Sequence, residues 1–427
     1  MLLLVLAFRR LTWSAPAQRG WWPWPLKDRI FVLLSSALVL VAHWAASDVP
    51  AWAMLAAVLL TSSLAMHARL ALGLGQALGL VLVSACGLMV LGAGASIVGT
   101  SGLVALIGSL AIMHRRDGTY TLRVGASLGA LAAVAVMSSV IASGSTPAGA
   151  ALKGAAAAAG GAFGSVLLML ALEPVFDALF QHATRRTLTE WLSFEHPLLV
   201  ELATKAPGTL QHSVNVGVLA ARAAAAIGAD ALLARVGSLY HDVGKAAAPE
   251  YFVENQDGTN PHDALDPISS ARAIRAHVLD GVDRVFAHRM GDRIEDFVRE
   301  HHGTSTLRYQ RAQAEERGHF DTADADVFRY PGPRPRSRET GIVMLADQIE
   351  ATARSAPPVD TAACAAVVRR TAARVRDEGE LDDSGLTVRD LPALERALTR
   401  TLDSMYHRRL DYPQARAGAA RTTSARG

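Results

Sequence analysis

Two long stretches of this sequence contain no charged residue, and they constrain the fold more than any other feature. Residues 70–113 and 124–152 lack Asp, Glu, Lys and Arg altogether. A soluble domain would carry roughly one charged residue in four over such lengths. Long apolar segments are typical of membrane-spanning helices, because a helix satisfies its own backbone hydrogen bonds in lipid. The first half of the chain is therefore predicted to be a membrane domain.

Hydrophobic runs between turn residues predict six transmembrane helices in this half. They cover residues 30–46, 51–66, 71–92, 96–113, 124–143 and 154–172. The loops on one side carry only Asp48 and Lys153, whereas basic residues collect on the other side. The positive-inside rule then places the N-terminus and the C-terminal half in the cytoplasm. The basic residues are Arg9, Arg10, Arg19, Lys27, Arg29, Arg69, Arg115, Arg116, Arg123, Arg185 and Arg186.

The sequence divides into five parts. They are a cytoplasmic leader (1–29), the transmembrane region (30–175), a helical connector (176–200), a second domain (201–413) and a disordered tail (414–427). Trp21, Trp22 and Trp24 in the leader are typical of an interfacial anchor, with a disordered leader as the alternative. The Gly- and Ala-rich residues 155–164 favour close helix packing, including packing between subunits of a homodimer. Because no span contains Asp, Glu, Lys or Arg, an anchoring or packing role outweighs transport.

The composition argues against binding to nucleic-acid polymers and against a disulfide bond. The net charge is only +3, and the basic residues lie near membrane loops and in the tail, so nucleic-acid polymers are not expected partners. Membrane lipid is the partner that this charge distribution indicates. Cys86 lies in a predicted span and Cys364 in the second domain, so no disulfide is expected.

The residues after position 200 follow a helical period almost throughout, without a convincing strand, and predict an all-α domain. Proline and glycine mark the connections between helices, notably at Pro207-Gly208 and Pro331-Gly332. The predicted helices cover residues 214–227, 231–241, 269–277, 293–301, 339–354, 359–378 and 388–406.

The most informative motif is His-Asp-Val-Gly-Lys at residues 241–245, at the end of an apolar helical run that Gly244 is expected to close. Neighbouring imidazole and carboxylate groups offer nitrogen and oxygen ligands to a metal, and a carboxylate can bridge two ions. Further candidate ligands lie in separate amphipathic stretches. They are His212, His277, His301, His302 and Asp347.

These seven residues form a nitrogen and oxygen ligand set without cysteine, which suits iron or manganese and also zinc or nickel. Two six-coordinate ions need about twelve ligand positions, and seven side chains with one bridging carboxylate fill about eight. About four positions are left for a bridging hydroxide and two phosphate oxygens. The ligand set therefore predicts two metal ions and a phosphodiesterase.

Two basic residues are candidates for contact with a phosphate. Lys245 follows His241 by four residues and would stabilise negative charge in the transition state, or alternatively cap its helix. Arg354 lies about two helical turns after Asp347 and would reach the phosphate or only solvent.

The motifs of the second domain resemble the HD-domain superfamily, and within it the membrane-anchored PgpH-type phosphodiesterases that hydrolyse cyclic di-AMP. The resemblance covers residues 196–413. It is carried by ordered segments that include 206–209 with His212-Ser213, 241–245, 252–256, 260–263, 300–304, 328–333 and 344–347.

The resemblance implies a dinuclear site of Mn or Fe, with Asp242 as the bridging carboxylate and a metal-bridging hydroxide as the nucleophile. Hydrolysis of one phosphodiester would open cyclic di-AMP to linear pApA. It also implies a multi-pass protein of the bacterial inner membrane. The metal ligands would be His212, His241, Asp242, His277, His301, His302 and Asp347, and the candidate substrate contacts Lys245, Arg354, Tyr330 and His262.

One departure from the family concerns the N-terminus. Members usually carry a first transmembrane helix and an extracytoplasmic domain before six further spans, whereas only residues 1–29 precede the first span here. Either the external domain is missing or the start has been assigned too far downstream.

Three other functions stay open on the sequence. A related HD branch hydrolyses cyclic di-GMP and has Gly-Tyr-Pro just after its double histidine, whereas His301-His302 is followed by Gly-Thr-Ser-Thr. An HD nuclease acting on RNA would need a basic aromatic stripe, which the sequence lacks. A receptor that binds nucleotide without hydrolysing it is the non-enzymatic alternative.

Overall fold

The computed structural model describes residues 26–112, 118–144, 146–317 and 322–406. Within these ranges the chain is helical without a β-strand, so the all-α prediction is confirmed; Thr306 and Arg329 form an isolated bridge. The described residues divide into two compact units. The apolar unit extends to Phe194 and includes Phe286–Arg293, and the C-terminal unit comprises Glu195–Val285 and the residues from Ile294 onward.

The apolar unit contains a helix at each of the six predicted spans. The helices are α1 (Leu26–Ala45), α2 (Pro50–Ala71), α3 (Leu74–Val90), α4 (Ala95–Ala111), α5 (Gly118–Ser143) and α6 (Ala148–Phe180). Four of these, α1, α2, α5 and α6, are long and apolar enough to cross a membrane. Helices α3 and α4 have 17 residues each, a length of about 26 Å against a hydrocarbon core of about 30 Å.

Small residues allow the apolar helices to pack closely. Helix α2 packs against α3, α4 and α6, and α6 also packs against α5. Ala155, Ala158 and Ala162 of α6 are buried in one cluster with Met54 and Val58 of α2. Alanine lets helix backbones approach, as the composition of this segment predicted.

The connector after the last apolar helix is interrupted, which corrects the prediction of a continuous helical connector at residues 176–200. Pro174 lies inside α6, but the helix ends at Phe180 because Gln181 takes a left-handed conformation with φ of 54°. A short helix, α7 (Arg185–Glu190), follows. The hydroxyls of Thr184 and Thr187 donate to the Oδ2 atom of Asp177 across this break.

The C-terminal unit is built from nine α-helices among the described residues. They are α8 (Pro197–Lys205), α9 (Pro207–Ala226), α10 (Ala231–Tyr240), α11 (Pro267–Ala287), α12 (Asp292–Glu300), α13 (Arg308–Glu316), α14 (Arg338–Ser355), α15 (Thr361–Asp377) and α16 (Leu391–Tyr406). All seven predicted helices are present, whereas α8 and α13 were not predicted. Helix α9 begins earlier than predicted because Pro207 occupies its first turn, where the missing N–H costs nothing.

The segment between α10 and α11 contains short 3₁₀ helices, at Val243–Ala247, Pro249–Tyr251, Val253–Asn255 and Pro261–Ala264. Several predicted features lie outside the described residues. They are the tryptophan-rich leader, Arg115, Arg116 and the tail at 414–427.

Candidate metal centre

The seven predicted ligands come from five parts of the C-terminal unit and lie close together, forming what we call the seven-residue cluster. His212 lies in α9, His277 in α11 and Asp347 in α14. Two adjacent pairs follow helix ends, since His241-Asp242 comes directly after α10 and His301-His302 directly after α12. Helix α9 packs against both α10 and α14, which brings the first set of ligands together.

The seven-residue cluster contains two ligand groups that share Asp242. His212, His241 and Asp242 form one group, and Asp242 with His277, His301 and His302 forms the other; within each, the ligand atoms lie within 4.8 Å of one another. The two oxygens of Asp242 face different groups. Atom Oδ2 lies 3.6 Å from His212 Nε2 and 3.2 Å from His241 Nε2, whereas Oδ1 lies 3.4 and 3.5 Å from the Nε2 atoms of His277 and His301.

Asp347 lies against both groups as well. Its Oδ1 atom is 3.0 Å from His212 Nε2 and 3.9 Å from His241 Nε2, and its Oδ2 atom is 3.8 Å from His302 Nδ1. Each carboxylate thus contributes one oxygen toward each side of the cluster.

Hydrogen bonds fix the orientation of the histidine rings. The Nδ1–H groups of His241, His277 and His301 donate to the carbonyl three residues earlier, at 2.6, 2.5 and 2.9 Å. This assigns the proton to Nδ1 and leaves the lone pair of Nε2 directed at Asp242. The buried atoms His241 Nε2 and Asp242 Oδ1 have no hydrogen-bond partner among the described residues. A buried imidazole nitrogen and a buried carboxylate oxygen without hydrogen-bond partners suit the coordination of a divalent cation.

Glu350 orients the fourth ring and was missed by the sequence analysis. Its Oε2 atom accepts the hydrogen bond of His212 Nδ1, and its Oε1 atom accepts one from Asn215 at 3.1 Å. Glu350 is buried and follows Asp347 by three residues on α14, so the two carboxylates share a helix face. That spacing was the signal available in the sequence.

Lys245 forms ion pairs within the seven-residue cluster and does not cap α10. Its Nζ atom lies 2.8 Å from Asp242 Oδ2 and 2.9 Å from Glu254 Oε1. Glu254, which the sequence analysis also missed, has its other oxygen 3.7 Å from Arg354 Nη2. Arg354 is also 3.5 Å from Glu350 Oε2, so it contacts buried carboxylates as well as solvent. The ligands are therefore bordered by alternating charges that run from Lys245 and Glu254 to Arg354 and Glu350.

The electrostatic surroundings separate the histidines. Burial lowers the pKa of His277 to about 3, and burial with the neighbouring His301 lowers the pKa of His302 well below its usual value. Burial acts in the same direction on His212, but hydrogen bonds to Asp347 and Glu350 outweigh it and raise the pKa to about 9. Burial would raise the pKa of Asp242, but His241 and Lys245 hold it well below its usual value. Asp242 is therefore an ionised ligand.

The two remaining predicted substrate residues have different surroundings. The ring of Tyr330 stacks on His302 with centroids 4.1 Å apart, and His302 is the most exposed ligand, with 19% of its side chain accessible. His262 donates from Nε2 to the Tyr251 carbonyl at 2.9 Å and accepts at Nδ1 from Ser270 at 2.8 Å. Tyr330 thus lies at the cluster, while His262 braces its own loop.

Gly244 has a different role from the predicted one. Helix α10 ends at Tyr240, and Gly244 lies in the following 3₁₀ helix rather than closing the α-helix. A Cβ atom at this position would lie 1.8 Å from the carbonyl oxygen of His277. The glycine therefore lets the segment after Asp242 pass directly against α11, which brings His277 within reach.

Parts of this chain are similar to known proteins. A sequence profile described as the HD domain matches residues 209–352. Cyclic-di-AMP phosphodiesterase PgpH of Bacillus subtilis (strain 168) is 37% identical over 254 residues, which cover 59% of this chain and 35% of that protein. The protein of the same name from Listeria monocytogenes serotype 1/2a (strain 10403S) shows the same identity and coverage. The matched region thus spans about a third of the length of these relatives.

Among solved structures, two crystal structures of the L. monocytogenes PgpH HD domain are similar to this chain. One has a TM-score of 0.47, and the other, in complex with cyclic-di-AMP, has a TM-score of 0.48. Each is 36% identical in sequence and is matched over its whole length by 50% of this chain.

Proposed function

The C-terminal unit belongs to the HD-domain family of metal-dependent hydrolases, and from this membership we propose that the chain hydrolyses cyclic di-AMP to linear pApA. The observation that carries the proposal is the sharing of Asp242 between two ligand groups. One carboxylate with each oxygen facing a different set of imidazoles suits a pair of ions, which would stabilise the attacking oxygen of water and the leaving ester oxygen in phosphodiester hydrolysis. The similarity to PgpH proteins supports cyclic di-AMP as the substrate.

We assign the two metal positions from the contacts of the seven-residue cluster. His212 and His241 would hold one ion, and His277, His301 and His302 the other, with Asp242 and Asp347 contributing to both. The imidazoles, which are neutral once they bind a metal, and the ionised carboxylates suit manganese or iron. When bound, such ions lower the pKa of water and neutralise charge on the phosphate.

The chain's own groups would position the reacting parts. Glu350 and the three carbonyls hold the imidazole rings in one tautomer, so their Nε2 atoms need no reorientation. Lys245 keeps Asp242 ionised through its 2.8 Å ion pair and places positive charge beside the phosphate position. Tyr330, stacked on His302 at the accessible edge, presents an aromatic ring for a nucleobase.

The apolar unit supports a membrane location for this activity. Four helices are long and apolar enough to cross a bilayer, and we infer that all six cross it. The basic residues Arg69, Arg123 and Arg185 support a cytoplasmic C-terminal unit by the positive-inside rule, and the proposed location is the inner membrane of a bacterium. Membrane lipid and cyclic di-AMP are the proposed partners, and the small-residue faces of α6 are the candidate surface for a homodimer.

The test uses the full chain purified in detergent and loaded with manganese or ferrous iron. The protein is incubated separately with cyclic di-AMP, cyclic di-GMP and pApA, and the products are separated by chromatography. The expected result is conversion of cyclic di-AMP to pApA alone. Turnover of cyclic di-GMP instead would replace the substrate, and no turnover with metal bound would favour the nucleotide receptor.

A further inference from the structure

A second cluster of imidazole and carboxylate groups lies in the apolar unit and is called here the three-residue cluster. His67 lies near the end of α2, Asp177 near the end of α6, and His182 just after α6. Each offers one ligand atom, and these atoms lie within 4.8 Å of one another. We propose that this cluster binds one divalent transition-metal ion, independently of the ions at the HD domain.

The spacing of the two imidazoles suits a common ion. His67 Nε2 lies 3.2 Å from His182 Nδ1. Two nitrogens bound at about 2.0–2.1 Å to one tetrahedral ion would lie about 3.3 Å apart. A hydrogen bond between the rings would give a similar distance, so this contact alone does not identify the ligand.

The carboxylate provides the second observation. Thr184 and Thr187 both donate to Asp177 Oδ2, the latter at 2.6 Å, which fixes the carboxylate plane as metal-bound carboxylates require. The other oxygen, Oδ1, is buried and has no hydrogen-bond partner among the described residues. Asp177 is 7% exposed and His67 1%. Buried acceptors without partners are costly unless a cation satisfies them.

Charge also favours a cation at this position. Glu173 precedes Asp177 by four residues on α6, so two buried carboxylates share one face of a largely apolar helix. Asp177 forms no ion pair with a described lysine or arginine. Burial of the Asp177 carboxylate outweighs the attraction of Arg186, so a divalent ion would lower the cost of keeping this carboxylate ionised.

Aromatic rings surround the three-residue cluster and exclude water. The ring of Phe31 lies 5.5 Å from those of His67 and His182, and Phe176 lies 5.0 Å from His67. Phe180 stacks on His182 at 5.5 Å. An ion in such apolar surroundings is attracted more strongly by its ligands than in water. The bound ion would join α2 to the segment that begins after α6.

The test measures zinc in the full chain purified in detergent with an affinity tag that contains no histidine. The metal is removed with a chelator, zinc is restored and excess is dialysed away, and zinc per chain is measured by mass spectrometry. We expect His67→Ala and His182→Ala each to lose about one equivalent. The matched control is His43→Ala, another buried histidine of the apolar unit, located on α1 about 18 Å along the helix from Phe31.

Two additions separate this site from the HD domain. The same loss of about one equivalent is expected when His67→Ala is made in an Asp242→Ala background, because the two sites share no ligand. Cobalt loaded in place of zinc into the Asp242→Ala chain should give visible absorption that His182→Ala removes. Unchanged zinc content in His67→Ala, or a cobalt spectrum that His182→Ala does not alter, would show that the three residues are only a hydrogen-bonded aromatic cluster.

Discussion

The two clusters of histidine and aspartate differ in which group the protein holds in place. In the seven-residue cluster the imidazoles are fixed, because His241, His277 and His301 each donate to the carbonyl three residues earlier. In the three-residue cluster the carboxylate of Asp177 is fixed by two threonine hydroxyls, and the rings are surrounded by phenylalanine. Rings held by local backbone can produce a short sequence motif, whereas a carboxylate held by side chains beyond a helix break produces none.

The largest expected effect comes from Asp242→Asn, which removes the charge shared by the two ligand groups but preserves shape. We expect the rate of cyclic di-AMP hydrolysis to fall at least about a thousandfold, because both groups lose an ionised ligand. Product formation is followed by chromatography under saturating manganese. Asp377→Asn on the exposed side of α15 is the control, and a variant Asp242 enzyme that keeps its rate would refute the shared-ligand arrangement.

Replacing a glycine by alanine should reduce stability much more in the C-terminal unit than in the apolar unit. Gly244→Ala would place Cβ 1.8 Å from a carbonyl oxygen, and we expect it to destabilise the chain by about 3 kcal/mol or more. Gly160 of α6 has nothing within 4 Å of such a Cβ, so Gly160→Ala should change stability by less than about 1 kcal/mol. Thermal unfolding in detergent measures both. Equal melting temperatures for the two variants would contradict the close approach to His277.

The sequence was sufficient for the elements and ligands that local patterns determine. Charge-free runs located the six apolar helices, and ligand chemistry selected all seven residues that the structure brings together. It failed where distant residues decide the outcome. Glu254 and Glu350 are ordinary acidic residues until folding places them against Lys245 and His212. The helix break at Gln181 follows no glycine or proline signal, and His67 and His182 are separated by 115 positions.

Removing the hydrogen-bond acceptor of His212 tests whether acceptors hold the imidazole rings of the seven-residue cluster in place. Glu350→Gln keeps the shape but loses the charge that accepts from His212 Nδ1. We expect metal affinity or hydrolysis to fall by about 10- to 100-fold. Metal titration and initial rates are measured together. Glu339→Gln, on the first turn of the same helix, should behave as the parent chain; a parent-like Glu350→Gln would mean that His212 is oriented without Glu350.

The corresponding change in the three-residue cluster is Thr187→Val, which removes the 2.6 Å hydrogen bond to Asp177. We expect zinc to bind about tenfold more weakly at that cluster. The matched control is Thr189→Val on the same short helix, where the hydroxyl donates only to the Arg185 carbonyl. Competition with a zinc-binding dye measures the affinity, and equal values for the two variants would show that the Thr187 hydroxyl does not position the carboxylate.

The last prediction concerns the pH dependence of stability in metal-free protein. The pKa of His277 is lowered to about 3, so its contribution is lost as pH falls below about 6.5 toward that value. The pKa of His212 is raised to about 9, so its contribution is present below about 6.5 and lost as pH rises through 9. The melting temperature should therefore be highest near pH 6.5, at about the point where both contributions are present. A monotonic rise up to pH 9 would contradict the raised pKa of His212.

The interruption after α6 has a mechanical consequence. Rotation of a membrane helix is transmitted only as far as its ladder of backbone hydrogen bonds continues, and that ladder ends at Phe180. After Phe180 the chain passes through the left-handed residue Gln181, and the hydroxyls of Thr184 and Thr187 donate hydrogen bonds to Asp177 across this break. A rotation of α6 would therefore pass to the following residues through the backbone at Gln181 and the two hydrogen bonds to Asp177, and not through a continuous helix. Breaking or forming these two hydrogen bonds would change the connection in one step.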